Sequence, residues 1–255
     1  MTERAGDPMQ TVVQTRPIDA VLLDMDGTIL NSIKAAERVW QAWAERHGLD
    51  VATFLPTIHG VRAVETIRRV GLAGIDPEVE AAAITQAEIG DVEGIEAIAG
   101  VQEFLAGLPA QQWAVVTSAP RALALRRIEA AGLPVPPLLI AADDVETGKP
   151  APDCFLLAAE RLGAQAHRCL VIEDSIAGII AAERAGAAVL VVTTTHHRPM
   201  TVRHPAILDY RDIALSRRAD GAISICHASE AATPSARLSC ILQAAGSVGS
   251  GQGRL

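Results

Sequence analysis

Two rhythms of apolar and polar positions divide this chain. Residues 18–24 (IDAVLLD) form a short, β-rich apolar run that reads as a buried strand. The period then changes. In residues 32–48 (SIKAAERVWQAWAERHG), Ala36, Val39, Trp40, Trp43 and Ala44 share one helical stripe, and Gly48 ends it. The helical rhythm persists through residues 53–100, with no strand expected there. After Gly100 the two rhythms take turns. Strands are predicted over 113–118 (WAVVTS), 138–144 (LLIAADD), 168–174 (RCLVIED) and 188–194 (AVLVVTT). Helices are predicted over 101–108, 121–132, 151–163 and 175–186, the last three closed by Gly132, Gly163 and Gly186. Strand and helix in alternation specify an α/β fold, a doubly wound parallel sheet with helices on both faces. The core is expected over residues 17–32 and 101–215, and the helical block 33–100 reads as an inserted α-helical cap. Beyond Thr195 the alternation fails: residues 196–213 are loop-like, and 226–255, rich in Ser, Ala and Gly, read as a flexible tail with one short helix near 236–245. Residues 1–16 are polar and aperiodic, a loose arm, and no internal repeat is visible.

Composition narrows this picture. Hydrophobic residues make up 49% of the 255, enough for a packed core, but aromatics only 3%, so that core must be built from Ala, Val, Leu and Ile. A formal charge of −8 argues against nucleic acid or an anionic membrane as the main partner. It leaves room for a small anionic substrate held by a local cation. Four cysteines, Cys154, Cys169, Cys226 and Cys240, form no C-x-x-C pair and read as buried thiols of a reducing compartment. The first twenty residues lack an apolar signal core, and no apolar run reaches about 18 residues. A cytoplasmic protein, acting as a monomer, is expected.

Candidate chemistry lies at the strand ends, because open parallel sheets bind ligands beyond the carboxyl ends of their strands. Those ends carry Asp24 and Asp26, Thr117 and Ser118, Asp143 and Asp144, and Glu173 and Asp174, with Lys149 just before a helix. Any one of these pairs could be a turn or a helix cap. Together at one edge, the carboxylates repel unless a cation neutralises them. A hard divalent ion with oxygen ligands, Mg²⁺ beside phosphate, meets that need.

The segments DMDGT, VVTS, GKPAPD and VIEDS resemble, in order, the four motifs of the haloacid dehalogenase superfamily, in the subfamily with a helical cap after the first strand of a Rossmann-like core. The likeness spans residues 18–195. AERVWQAWAERHGL and IHGVRAVETIRR are similar to bacterial sugar phosphatases related to the 2-deoxyglucose-6-phosphate and glycerol phosphatases. The resemblance implies a Mg²⁺-dependent phosphatase of small phosphorylated sugars or polyols. It casts Asp24 as the nucleophile that forms an aspartyl-phosphate and Asp26 as general acid, then general base. Lys149 would offset the phosphoryl charge, and Thr117, or Ser118 in its place, would donate a hydroxyl to a phosphoryl oxygen. Asp24, the Asp26 carbonyl and Asp174 would ligate the metal, with Glu173 either a ligand or an acceptor behind it. Gly27 permits the turn, and Thr28 is expected to hold Asp26.

Four further groups are weaker. His59 and Arg62, in the cap, either contact substrate or are a capping His and an exposed Arg. Glu37 follows the nucleophile loop by about three helical turns, faces the cap hinge and is a weaker candidate for substrate contact. His196, His197 and His204 match no compact metal set and read as loop. Asp144 is expected at most to orient Lys149. The rivals are a phosphosugar mutase resembling β-phosphoglucomutase, a phosphoglycolate phosphatase and a phosphonoacetaldehyde hydrolase. The mutases have Val where Thr28 stands and a cap-side His where Ala36 stands. The last rival needs a cap lysine, and the only lysine between Asp24 and Lys149 is Lys34. A non-catalytic module on this fold would have lost one of Asp24, Asp26, Lys149 or Asp174.

Overall fold

The computed structural model describes residues 14–196 and 203–227. In chain order its elements are β1 (Gln14–Ile18), β2 (Ala20–Leu23), β3 (Leu30–Asn31), α1 (Ile33–Arg46), α2 (Val51–Phe54), α3 (Ala63–Val70), α4 (Pro77–Gly90), β4 (Glu96–Ala97), α5 (Val101–Gly107), β5 (Trp113–Val116), α6 (Arg121–Ala130), β6 (Leu139–Ile140), α7 (Asp153–Arg161), β7 (Cys169–Glu173), α8 (Ile176–Ala185), β8 (Ala188–Val192), β9 (Ala206–Ile207), β10 (Ile213–Arg217) and β11 (Ile223–His227). The main sheet has the order β6-β5-β2-β7-β8-β9, all parallel.

The alternation of side chains along each strand explains why helices cover both faces. Val21 and Leu23 of β2, Trp113 and Val115 of β5, Leu170 and Ile172 of β7, and Leu190 and Val192 of β8 point into one layer, against α5 and α6. Ala20 and Leu22, Ala114 and Val116, Cys169 and Val171, and Val189 and Val191 point into the other, against α7 and α8. Burial on both faces is why these strands read as unbroken apolar runs.

Helices α1 to α4 lie between β3 and β4, and a separate core holds them together: Trp40, Trp43, Ala44, Phe54, Ile58, Ile67 and Ile84. Trp40 and Trp43 meet edge to face at 5.7 Å, and the Trp43 indole donates to Glu80 at 2.8 Å. The antiparallel pair β3–β4 closes the base of this block. It puts a two-residue strand inside a segment whose rhythm is wholly helical, because two residues are too few to show a period.

The chain departs from the sequence reading at both ends. Residues 14–16, expected in a loose arm, begin β1. The loop-like stretch after Thr195 contains β9, the sixth strand of the sheet. Beyond residue 215, the expected end of the core, β11 pairs antiparallel with both β1 and β10, burying Ile223 and Ile225. Cys226 and His227, counted with the tail, belong to that strand. Residues 1–13 and 228–255, the remainder of the expected arm and tail, lie outside the described residues, as does His197. No helix among the described residues is long and apolar enough to cross a membrane.

Candidate functional site

Strands β5, β2 and β7 are parallel neighbours, so their carboxyl ends bring Thr117, Asp24 and Glu173 side by side. Lys149 reaches them from the loop between β6 and α7. Its Nζ donates to Asp24 Oδ1 at 2.5 Å, to Glu173 Oε1 at 2.7 Å and to the Val116 carbonyl at 3.1 Å. All three of its donors are thus spent, in a side chain only 1% exposed. Burial opposes the charge, yet Asp24 and Glu173 outweigh it and hold the ammonium well above the ordinary lysine range.

Glu173 is committed on both oxygens. Besides Lys149, it accepts from the backbone N–H groups of Asp174 at 2.9 Å and Ser175 at 2.8 Å and from the Ser175 hydroxyl at 3.0 Å. It sits over the first turn of α8, where a negative charge is favoured. The lack of a Cβ at Gly178 makes room for it: a Cβ there would land on the Glu173 carboxylate.

Ligand oxygens of Asp24, Glu173 and Asp174 lie within 4.8 Å of one another. Three carboxylates face one ammonium. Burial, with the neighbouring carboxylates, pushes Asp174 well above the carboxylate range. Burial likewise raises Asp24 to about 8, against the pull of Lys149. A hard cation would remove this strain, and the all-oxygen donor set fits Mg²⁺. Gly27, at φ +88°, carries the turn across Asp174, and a Cβ there would strike the Asp174 carboxylate.

Asp26 is held differently from the expectation. Thr28, fully buried, donates toward Asp174 Oδ1 at 3.4 Å and not to Asp26. The Ser32 hydroxyl donates to Asp26 Oδ1 at 2.5 Å, and Arg127 Nη1 lies 2.9 Å from Asp26 Oδ2. Arg127, buried on α6, also meets Glu88 of α4 through Nη2 at 3.1 Å. Burial raises the Glu88 carboxyl despite Arg127. Asp24, Asp26, Ser32, Ala36, Trp40, Thr85, Glu88, Thr117, Ser118, Arg127 and Asp174 line one pocket between the helical block and the sheet edge.

The two hydroxyls after β5 are told apart. Ser118 donates to the Gly60 carbonyl at 3.1 Å, whereas Thr117 Oγ1 accepts from Ala119 N–H at 3.0 Å and keeps its proton for another acceptor. Arg62 is not among the residues lining the pocket around Asp24. Its guanidinium clasps the loop carrying Lys149, donating to the Val145 and Glu146 carbonyls at 2.7 and 2.8 Å. His59 lines the pocket and lies 3.6 Å from Glu37, which stands on an adjoining groove. Asp144 does not orient Lys149: it accepts from Arg121 at 2.5 Å and from Ala141 N–H at 2.8 Å. His196 stays in the loop expected of it, half-buried, with Nε2 2.8 Å from the Asp174 carbonyl, while His204 pairs with Glu183.

Sequence reasoning missed Ser32, Glu88 and Arg127. A faint signal existed. Arg127 falls four residues after Leu123 and Glu88 four after Ile84, so each puts a charge on a buried stripe.

A carboxylate and lysine cluster at the strand ends of a doubly wound sheet places the chain among the α/β enzymes that work at the sheet edge. More narrowly, residues 18–186 match the haloacid dehalogenase-like hydrolases, the family to which this chain belongs. Among its relatives is hexitol phosphatase A of Escherichia coli (strain K12), 38% identical over 185 residues, 70% of this chain and 84% of that one. Another is validoxylamine A 7'-phosphate phosphatase of Streptomyces hygroscopicus subsp. limoneus, 34% identical over 69% of this chain and 85% of that one. The crystal structure of a hydrolase from Pseudomonas syringae superposes with a TM-score of 0.64 at 25% identity, covering 71% of this chain and 87% of that one.

Proposed function

We propose that this chain is a Mg²⁺-dependent phosphatase of small phosphorylated sugars or polyols, working through an aspartyl-phosphate on Asp24 beneath a helical cap formed by residues 33–100. The observation that carries this reading is the fully buried Lys149, fixed between Asp24 at 2.5 Å and Glu173 at 2.7 Å beside a pocket. An ammonium held there neutralises the nucleophile and the incoming phosphoryl group without reorganising. The phosphatase names among the relatives support the same reaction class.

In this reading Asp24 attacks phosphorus and the ester oxygen departs. Asp26, kept in place by Ser32 and Arg127, gives that oxygen a proton and later takes one from the attacking water. Thr117 donates to a phosphoryl oxygen. The side chains of Asp24 and Asp174, with the Asp26 carbonyl, would hold Mg²⁺, and Glu173, already bonded on both oxygens, keeps Lys149 in register. Once bound, the ion would offset the negative charge shared by the phosphoryl group and the carboxylates. Asp26 is anchored by the protein's own groups and Ala36 lines its pocket, so water is the acceptor and the product is inorganic phosphate.

The test is phosphate release from p-nitrophenyl phosphate and sugar phosphates, with and without Mg²⁺, by the native chain and by Asp24→Asn. The variant should lose several orders of magnitude in kcat, and chelation should abolish turnover. Near-native turnover by the variant, or full activity in excess chelator, rules the mechanism out.

A further inference from the structure

The pocket beside Asp24 has a wall that the phosphoryl chemistry uses only through the hold of Arg127 on Asp26. Glu88 and Thr85 lie one turn apart on α4, and Arg127 faces Glu88 from α6. The guanidinium spends Nη1 on Asp26 and Nη2 on Glu88, while its Nε–H, also buried, meets no acceptor in the protein. The Thr85 hydroxyl gives its proton to the Ala81 carbonyl at 2.9 Å, which leaves its oxygen able to accept. A buried N–H without an acceptor is unfavourable, so this wall is suited to a polar ligand. It offers an N–H donor that meets no acceptor in the protein beside carboxylate and hydroxyl acceptors, and an alcohol O–H, both donor and acceptor, completes such a set.

Charge sharpens the choice. One guanidinium stands between two carboxylates, Asp26 and Glu88, and has no charge left over for a third anion. The basic side chains lining the pocket, Arg127 and His59, each face a carboxylate, Asp26 and Glu88 for the first and Glu37 for the second. A substrate with a second anionic group would find no uncommitted cation among the described residues lining this pocket to receive it.

We infer that Glu88 and Arg127 are the specificity-determining pair of this pocket, selecting a monophosphate whose remainder is an uncharged polyhydroxy chain and rejecting one that carries a carboxylate or a second phosphate. This rests on the phosphatase reading above and names the part of the pocket that chooses the substrate.

The experiment compares kcat/KM for sorbitol 6-phosphate, phosphoglycolate and p-nitrophenyl phosphate, with Mg²⁺ present. The native chain should favour sorbitol 6-phosphate over phosphoglycolate at least tenfold. Glu88→Gln, which keeps the shape and removes the charge, should narrow that preference at least fivefold, mainly through KM. Arg127→Lys, which cannot span Asp26 and Glu88 together, should raise KM for sorbitol 6-phosphate at least fivefold more than for p-nitrophenyl phosphate. A native chain that prefers phosphoglycolate overturns the inference, and that measurement needs no variant to fold. So does a Glu88→Gln protein whose preference stays within twofold of native. Failure to release phosphate from any of the three would instead sink the phosphatase reading.

Discussion

Replacing Gly178 by Ala adds one methyl group to the first turn of α8 and should disable the lysine site from behind. Glycine in a helix is ordinarily a weakness, and Ala there gains about 1 kcal/mol. At Gly178 the sign reverses. A Cβ would fall on the Glu173 carboxylate, which is fully buried and bonded to Lys149, two backbone N–H groups and the Ser175 hydroxyl. Either α8 shifts, with an overpacking cost of about 1–3 kcal/mol, or Glu173 swings away and leaves Lys149 short of a buried partner, at about 3–5 kcal/mol. After the helix gain, the net loss is up to about 2 kcal/mol if α8 shifts and about 2–4 kcal/mol if Glu173 swings away, the second worth roughly 4–16 °C in Tm for a chain of this size. Turnover of p-nitrophenyl phosphate should fall at least tenfold, since a shift of about 1.4 kcal/mol in the placement of Lys149 is enough. Gly90, exposed near the end of α4 with nothing within 4 Å of its Cβ position, is the control: Gly90→Ala should leave Tm unchanged or slightly higher. Thermal unfolding and steady-state kinetics on both variants decide the matter. A Gly178→Ala protein as stable and active as the native chain would refute the packing of Glu173 against α8 and its hold on Lys149.

Three other outcomes are expected. Arg62→Ala releases the Val145 and Glu146 carbonyls, which should lower Tm by about 3–8 °C, and Arg62→Lys should restore less than half of that because one ammonium replaces two diverging N–H donors. Cys154 and Cys169 are buried, and burial pushes the Cys169 thiol up to about 12, so neither should react with a disulfide reagent at pH 8 until the protein is unfolded, when at least two further equivalents should be titrated. Ending the chain after Ala222 removes Ile223 and Ile225, about 1.5–3 kcal/mol of burial each, and takes the middle strand from between β1 and β10, so that protein should lose its cooperative thermal transition.

The parallel sheet was legible because its strands carry their own signature. Residues 20–23, 113–116, 169–173 and 188–192 are buried on both faces, and double burial writes itself as an unbroken apolar run. The antiparallel sheet left no such mark. Ile213–Arg217 is only half buried, its last two residues lie exposed, and its identity as a strand comes from pairing with Ile223–His227, which is itself completed by Gln14–Ile18 from the far end of the chain. A period-based reading sees one segment at a time, and β11 takes its place from β10 just before it and from β1, about two hundred residues away.

The same distinction divides the site. Asp24, Glu173 and Asp174 stand at the ends of strands whose order is fixed by the sheet, so their convergence follows from topology once the strands are known, whereas Lys149 joins them from the loop after β6. Thr28 and Asp144 were given the wrong partners because two residues close in sequence were assumed to touch. The turn at Gly27 instead carries the Thr28 hydroxyl toward Asp174 and leaves Asp26 to Ser32 and Arg127. The contact between Glu88 and Arg127 joins two helices that no strand order relates, one in the helical block and one on the sheet. What the sequence does carry is the anomaly itself: a full charge placed where each helix turns its apolar stripe inward. A buried charge without a partner costs several kcal/mol, so two such anomalies of opposite sign imply that each has found a counter-charge. Their meeting beside Asp26 makes the docking of the helical block and the positioning of Asp26 a single interaction, so a change that disturbs one must disturb the other.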